Sequence, residues 1–303
     1  MTTNAPVTLL SIIIPAYNYA QLIERALNSV FSQCDNNIEV IVINDGSTDN
    51  TQQVLTSYQA KLKHPLIIIN QANTGVAKAR NNAIDAATGK YVWLLDADDE
   101  LAENSIAAVV SCLLANQPEL LLGSHVSIKP DGKGKTFTRK PASDNRLTNF
   151  IAYLDKTIPI MHGALVVKRT LIQRYPYPEN LSHAEDIPVF AWLIANTNPQ
   201  VITDVLVHIH KHASSRRHNS SAAIEAGMQL VDIMFDSKYL ASEYLAYKDW
   251  YKAYRMSSLF RTCYGANDYR QAKALYANLL KLSPRRALRW KILSKRMRMV
   301  FKS

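Results

Sequence analysis

Leu9-Leu10-Ser11-Ile12-Ile13-Ile14 runs without a charge into Pro15-Ala16-Tyr17-Asn18, and this pairing of an apolar run with a polar turn decides the reading of the fold. Short continuous runs rich in β-branched residues and bounded by turn residues read as strands buried on both faces, as in parallel sheets. The pairing recurs three times. Ile38–Ile43 leads into Asn44-Asp45-Gly46-Ser47, Leu66–Ile69 into the stretch from Asn70 to Gly75, and Tyr91–Leu95 into Asp96-Ala97-Asp98-Asp99. Helical patterns fill the intervals near Leu22–Phe31, Thr51–Lys61 and Val76–Ala87, with Asp49 placed to cap the second. This alternation predicts βαβ units and a parallel α/β sheet. In doubly wound sheets the carboxyl ends of the strands form the ligand crevice, so the four polar turns define one candidate site. Pro15 is expected to end the first strand, and Asn18 and Gly75 to shape turns.

Beyond Glu100 the pattern gives a helix near Ile106–Ala115, a strand near Leu120–Val126, and a Gly/Lys-rich stretch from Lys129 to Lys140 that reads as an exposed, mobile loop. Leu165–Val167 and Val201–Val207 read as further strands, separated by a helix beginning near Asp186. From Ala222 the chain reads as wholly helical, with Gly265-Ala266-Asn267-Asp268 as a turn. With 303 residues and 48% hydrophobic composition the chain can bury a full core, and one catalytic domain with a helical tail is expected.

The formal charge of +10 is unevenly spread. From Tyr269 to Ser303 there are eleven Lys or Arg residues and no acid, which leaves 24 bases to face all 25 acids in the rest of the chain. If the segment after Pro284 is helical, Trp290, Leu293, Met297 and Phe301 share one face and Lys291, Lys295, Arg298 and Lys302 another. Such a helix suits an anionic membrane surface, or packs its apolar face inward and solvates its bases. No stretch reaches the roughly 18 apolar residues of a membrane span, and Val7 to Ile14 reads as a strand rather than a signal peptide. The protein is expected to be cytoplasmic, or peripheral on the cytoplasmic face of the inner membrane. Cys34, Cys112 and Cys263 are odd in number and far apart, which argues against a disulfide framework or a zinc site. No GxGxxG follows a strand and no Walker loop is present, so nicotinamide and P-loop chemistry are disfavoured.

Asp96, Asp98 and Asp99 crowd three carboxylates at a strand end, where they repel one another unless a cation or solvent screens them. Mg²⁺ and Mn²⁺ commonly combine one or two carboxylates with substrate phosphates, so the run suits a metal-bound diphosphate. It also suits a helix-capping turn. Glu185-Asp186 opens a helical segment and reads either as a general base or as an acid pair favouring a helix N-terminus. His208, His210 and His212 alternate on one strand face, but no fourth ligand completes a zinc site.

In order, Ser11–Asn18, Val42–Asp49, Asn73-Thr74-Gly75, Ala79-Arg80-Asn81 and Leu94–Asp99 resemble the family 2 glycosyltransferases of the GT-A fold, over roughly residues 9 to 215. The resemblance implies a Rossmann-like mixed sheet flanked by helices. It implies a catalytic domain over residues 1–220, with a nucleotide-sugar half over 1–100 and an acceptor half over 101–220, and a helical extension over 221–303. Pro15, Ala16 and Tyr17 would line the nucleotide from the first turn, Asp45 would accept from the base, and Arg80 would meet base or phosphates. Asp45 also suits an Asx-turn. Asp96, beside Ala97, would reach the ribose, Asp98 and Asp99 would hold a divalent Mn²⁺ or Mg²⁺, and His212 would ligate that metal or donate to the diphosphate. Asp186 would be the catalytic base. His183, Lys211 and Arg216 are weaker candidates, and the second half offers Lys129–Lys140, His162 and Tyr175–Tyr177 as acceptor contacts.

The implied reaction is an inverting transfer from a nucleotide-sugar, most often a UDP-sugar, to a glycan or glycolipid hydroxyl in surface polysaccharide or lipopolysaccharide assembly. A nucleotidyltransferase and a basic nucleic-acid-binding protein are the rival readings. Nothing in the tail resembles a nucleic-acid motif, so no nucleic acid partner is expected.

Overall fold

The computed structural model describes residues 8–35, 37–181, 183–211 and 227–299. The chain divides into two compact units, one of residues 1–179 with 196–212 and one of residues 180–195 with 213–303.

The first unit is a mixed α/β sheet flanked by helices. Its strands are β1 (Leu10–Ala16), β2 (Ile38–Asp45), β3 (Leu66–Gln71), β4 (Tyr91–Leu94), β5 (Glu100–Leu101), β6 (Leu120–Ile128), β7 (Gly134–Phe137), β8 (Leu165–Lys168) and β9 (Gln200–His210). They lie in the order β3-β2-β1-β4-β8-β6-β9-β5, with β7 paired to β6. The first four are parallel, and β8 runs antiparallel to both β4 and β6. Helices α1 (Ile23–Phe31), α2 (Thr51–Gln59) and α3 (Val76–Ala86) connect the parallel strands; α4 (Ser105–Asn116), α5 (Arg146–Leu154) and α6 (Arg169–Ile172) follow. Leu10, Ile12, Ile13 and Ile14 are all fully buried. Both faces of β1 are covered, which is why its sequence is apolar apart from the buried Ser11 rather than alternating.

Several expectations need correction. Pro15 lies inside β1, opposite Ile43 of β2, rather than ending it. The pairing with β4 stops at Ile13 and Leu94, so β1 has an open side at Pro15 where no amide hydrogen is needed. Asp49 is not the N-cap residue of α2: that position is Asn50, and Asp49 accepts instead from the Thr51 amide at 3.0 Å. The Lys129–Lys140 stretch is a β-hairpin, with β7 on β6 and the Phe137 ring stacked 4.8 Å from His125. Arg139 beyond it is buried, donating to the carbonyls of Gly123 and Pro159. The two-residue β5, paired with β9 at Glu100 and His208, was not expected.

The second unit carries α7 (Asp186–Asn196), whose residues Pro188 through Ala195 are all buried. A helix apolar on every side belongs in an interior. The helices Lys248–Gly265 and Tyr269–Leu282 pack around Phe260, Cys263, Ala272 and Leu279, joined at Ala266-Asn267, where Asn267 takes φ 60°. Asp268 caps the second, accepting from the Gln271 amide. The terminal helix Trp290–Arg298 turns a different face inward from the one its spacing suggests. Ile292 and Met299 enter the core, and Lys295 and Arg296 lie over the rings of Tyr264 and Tyr276. Trp290 and Met297 stay 73% and 52% exposed. Phe301 and Lys302 lie outside the described residues. No helix among the described residues is long and apolar enough to cross a membrane.

Candidate active site

The carboxyl ends of β1, β2, β3 and β4 deliver four turns that are tied to one another by side chains. Asn18 adopts φ 58°, a left-handed conformation that asparagine tolerates. Its Oδ1 accepts from the Thr48 amide at 2.8 Å, and its own amide donates to Ser47 Oγ at 3.0 Å. Ala20 and Tyr19 donate to Asp49 and Thr51. The first turn is thereby fastened to the second, with Tyr17 half-buried beside the join.

Asp45 joins the second turn to the third. It is 4% exposed; Oδ1 accepts from the Thr74 amide at 2.9 Å and Gln71 Nε2 at 2.7 Å, and Oδ2 from the Gly75 amide at 2.9 Å. These bonds cross between turns, so Asp45 does more than close an Asx-turn on its own loop. Gly46 makes the crossing feasible. It sits at φ +69°, and a Cβ there would fall 2.6 Å from the Asn73 nitrogen. Gly46→Ala is therefore expected to lose about 1–2 kcal/mol from backbone conformation alone and more from the clash. A thermal melt should show the midpoint falling by several degrees, and an unchanged midpoint would contradict this geometry.

The acidic turn follows β4. The Asp99 amide donates to the Asp96 carbonyl at 3.0 Å, closing the turn, and Arg25 of α1 donates to the Asp98 carbonyl. Asp99 is 6% exposed, and its Oδ1 accepts from the His210 amide of β9 at 2.9 Å. Asp96 is more open, and its Oδ1 pairs with Arg80 Nη2 of α3 at 3.0 Å. Arg80 is itself buried; a buried guanidinium needs a counter-charge, and Asp96 supplies it. His208 and His210 both turn to Glu100, at 3.5 and 2.9 Å. Burial raises the Glu100 carboxyl, but the hydrogen bond and charge of His210, with Arg25 and His208, outweigh it and hold the group below its usual range.

Residues 11–174 match the family model described as glycosyl transferase family 2. The chain belongs to this family. Relatives include an uncharacterized glycosyltransferase, alr2836, of Nostoc sp., 35% identical over 47% of this chain and 44% of its own length. The chain thus spans less than half of that relative. WfgD of Escherichia coli, described as a UDP-Glc:alpha-D-GlcNAc-diphosphoundecaprenol beta-1,3-glucosyltransferase, is 29% identical over 64% of this chain and 73% of its own length. Among solved structures, TarS of S. aureus in complex with UDP-GlcNAc aligns with a TM-score of 0.67 at 21% identity, covering 92% of this chain and 82% of that one. The TarS likeness shows the GT-A fold.

Of the residues singled out from the sequence, the first unit carries Pro15, Ala16, Tyr17, Asp45, Asp96, Ala97, Asp98 and Asp99 at the ends of β1, β2 and β4, with Arg80 on α3 reaching Asp96. Asp186 belongs to the second unit, in the first turn of α7. His212 and Arg216 lie outside the described residues. Among the described residues no three His, Cys, Asp or Glu side chains are grouped to hold an ion by themselves. Two adjacent carboxylates at a strand end fit the other kind of site, which phosphate oxygens and water complete. Sequence reasoning named His162 and Tyr177 as acceptor contacts; in the structure His162 borders Asp96 and Tyr177 borders Arg80.

Before α7 the backbone is strained. Ala184 takes φ 61° without being glycine, a conformation that costs energy and is held only where surroundings demand it. Glu185, next in line, is buried and Asp186 half-buried. Burial pushes the Tyr251 phenol up to about 12, with Arg255 opposing and the charges of Tyr254 and Asp186 adding to it.

Proposed function

We propose that this protein is an inverting glycosyltransferase that moves a sugar from a nucleotide-sugar, a UDP-sugar in our reading, to a hydroxyl of a glycan or glycolipid. The observation that carries the reading is the set of strand-end turns locked together by Asn18 and Asp45 beside the acidic turn at Asp96. TarS was solved with UDP-GlcNAc and WfgD is named for a UDP-Glc donor and a lipid-diphosphate acceptor; both support the donor chemistry, and WfgD the acceptor chemistry. Our reading of the setting is bacterial surface polysaccharide or lipopolysaccharide assembly. Catalysis is assigned to residues 1–220, and residues 221–303 to a C-terminal extension, whose described part, 227–299, is mostly helical.

Tyr17, with Pro15 and Ala16, flanks the base. Asp45 fixes the third turn and accepts from the base, and Asp96, steadied by Arg80 and flanked by Ala97, takes the ribose. Asp98 and Asp99, with His212, are the residues that would hold a divalent ion, Mn²⁺ or Mg²⁺. When bound, that ion offsets the charge of the leaving diphosphate. Asp186 takes the proton of the acceptor hydroxyl as its oxygen bonds to the anomeric carbon. The bond from that carbon to the diphosphate oxygen breaks on the opposite face, and a nucleoside diphosphate leaves. Product analysis tests the class of reaction: a nucleoside diphosphate is expected, and pyrophosphate released from a nucleoside triphosphate would overturn it in favour of nucleotidyl transfer.

The protein is read as cytoplasmic and peripheral on the inner membrane. Leu288, Trp290 and Met297 are exposed, and so are Arg285, Arg289, Lys291 and Arg298 around them in sequence. Apolar anchors among bases suit an anionic lipid surface. The full chain should pellet with phosphatidylglycerol vesicles but not with phosphatidylcholine vesicles, and Trp290→Ser with Met297→Ser should weaken pelleting. Equal recovery of both proteins in the pellet would remove this role.

A further inference from the structure

We infer that His162 and Tyr177 are positioning residues that aim the Asp96 carboxylate at the donor ribose. The inference rests on the proposed role of Asp96. It starts from a closed ring of contacts within the first unit, joining residues far apart in sequence. Asn81 of α3 grips the Tyr177 backbone twice, accepting from its amide and donating to its carbonyl, both at 2.9 Å. The Tyr177 hydroxyl meets His162 Nε2 at 3.1 Å. His162 Nδ1 faces Asp96 Oδ2 at 3.9 Å, while Oδ1 of the same carboxylate takes Arg80. Arg80 completes the ring, its guanidinium 5.4 Å from the centre of the Tyr177 ring, a cation–π distance.

The arrangement is rigid where it supports and open where it acts. Tyr177 is 1% exposed and His162 6%, whereas the Asp96 side chain is 39% exposed. His162 is held from below as well. It opens a short 3₁₀ turn, His162–Ala164, and Trp93 of β4 donates to the carbonyl of Gly163 in that turn at 2.9 Å. Gly163 has no side chain to spare there, since a Cβ would lie 2.5 Å from a Val207 methyl.

Tyr177 steadies two neighbours of the Asp96 carboxylate: its hydroxyl meets His162 Nε2 and its ring lies under the Arg80 guanidinium. Arg80 bonds to Oδ1, and His162 Nδ1 flanks Oδ2 at a distance beyond a hydrogen bond but within reach of charge. Loss of the Tyr177 hydroxyl or the His162 ring loosens one side of the Asp96 carboxylate, so the effect falls on ribose recognition rather than on base or diphosphate binding.

Calorimetry on the full chain with Mn²⁺ tests this, using UDP and its 2′-deoxy and 3′-deoxy analogues as probes. The wild-type protein is expected to prefer UDP over at least one analogue by roughly 10- to 100-fold, as for a hydrogen bond to a charged group. Tyr177→Phe and His162→Ala should bring UDP affinity down toward that of the analogue while leaving the analogue's affinity unchanged. Folded Tyr177→Phe protein that keeps the wild-type preference would overturn the inference, and this variant keeps the ring volume should His162→Ala fail to fold. A wild-type protein that binds UDP and both analogues alike would instead overturn the ribose role of Asp96, and the inference with it.

Discussion

Asp98→Ala should reduce sugar transfer by roughly 10³-fold or more while the protein stays folded. Charge stabilisation by a bound metal contributes several kcal/mol to a transition state of this kind, and each 1.36 kcal/mol is about tenfold in rate. The fold should survive because the contact that Arg25 makes is to the Asp98 backbone carbonyl, which alanine retains. Asp99→Ala makes the informative comparison. Its buried carboxylate accepts the His210 amide, and leaving that donor unsatisfied should cost about 1–3 kcal/mol of stability. Loss of activity with an unchanged melting point is therefore expected at Asp98, and loss of both at Asp99. An Asp98→Ala protein with full metal-dependent turnover would remove the residue from the metal site.

Asp186→Asn should separate binding from chemistry. A general base contributes about 10²- to 10⁴-fold, so the turnover number should fall by that amount while the affinity for the nucleotide-sugar stays at the wild-type value. Asparagine keeps the size and a hydrogen-bonding oxygen at the start of α7. The lost helix-terminus charge costs up to about 2 kcal/mol at a half-buried site. The variant should remain folded. A parallel loss of donor affinity would point to a role in holding the donor, and undiminished turnover would reject the base. The strain at Ala184 suits a site where two acids must be presented at the start of a buried helix.

Much of this architecture can be read from local pattern because β1, β2 and β4 are buried on both faces. Ile12-Ile13-Ile14 and Val40-Ile41-Val42-Ile43 are completely inaccessible, so their sequences carry no polar residue to blur the boundary. The turns are equally legible, since Gly46 and Asn18 occupy left-handed conformations that few other residues accept. What escapes such reading depends on partners distant in sequence. β5 has two residues and exists through β9. β7, Gly134-Lys135-Thr136-Phe137, is exposed throughout and forms only because β6 pairs with it. The terminal helix buries Ile292 and Met299 rather than Trp290 and Met297, and the charged heads of Lys295 and Arg296 on it lie over tyrosine rings, a cation–π use of basic side chains that spacing alone does not predict.

The site divides along the same line. Asp45 and Asp96–Asp99 are announced by their turns, but Asp45 is also structural, and Arg80 meets Asp96 rather than standing alone. The ring through Asn81, Asp96, His162 and Tyr177 has no local signature at all.

The most direct test of the central claim is a thermal-shift series with UDP-, GDP- and dTDP-sugars, each with and without Mn²⁺. Ligand at about 100 times its dissociation constant stabilises by about 2.7 kcal/mol, which for a chain of this size means a rise of roughly 5–10 °C. The account predicts such a rise with a UDP-sugar, dependent on Mn²⁺ and abolished in Asp98→Ala. No rise with any nucleotide-sugar, or one of equal size in Asp98→Ala, would contradict it.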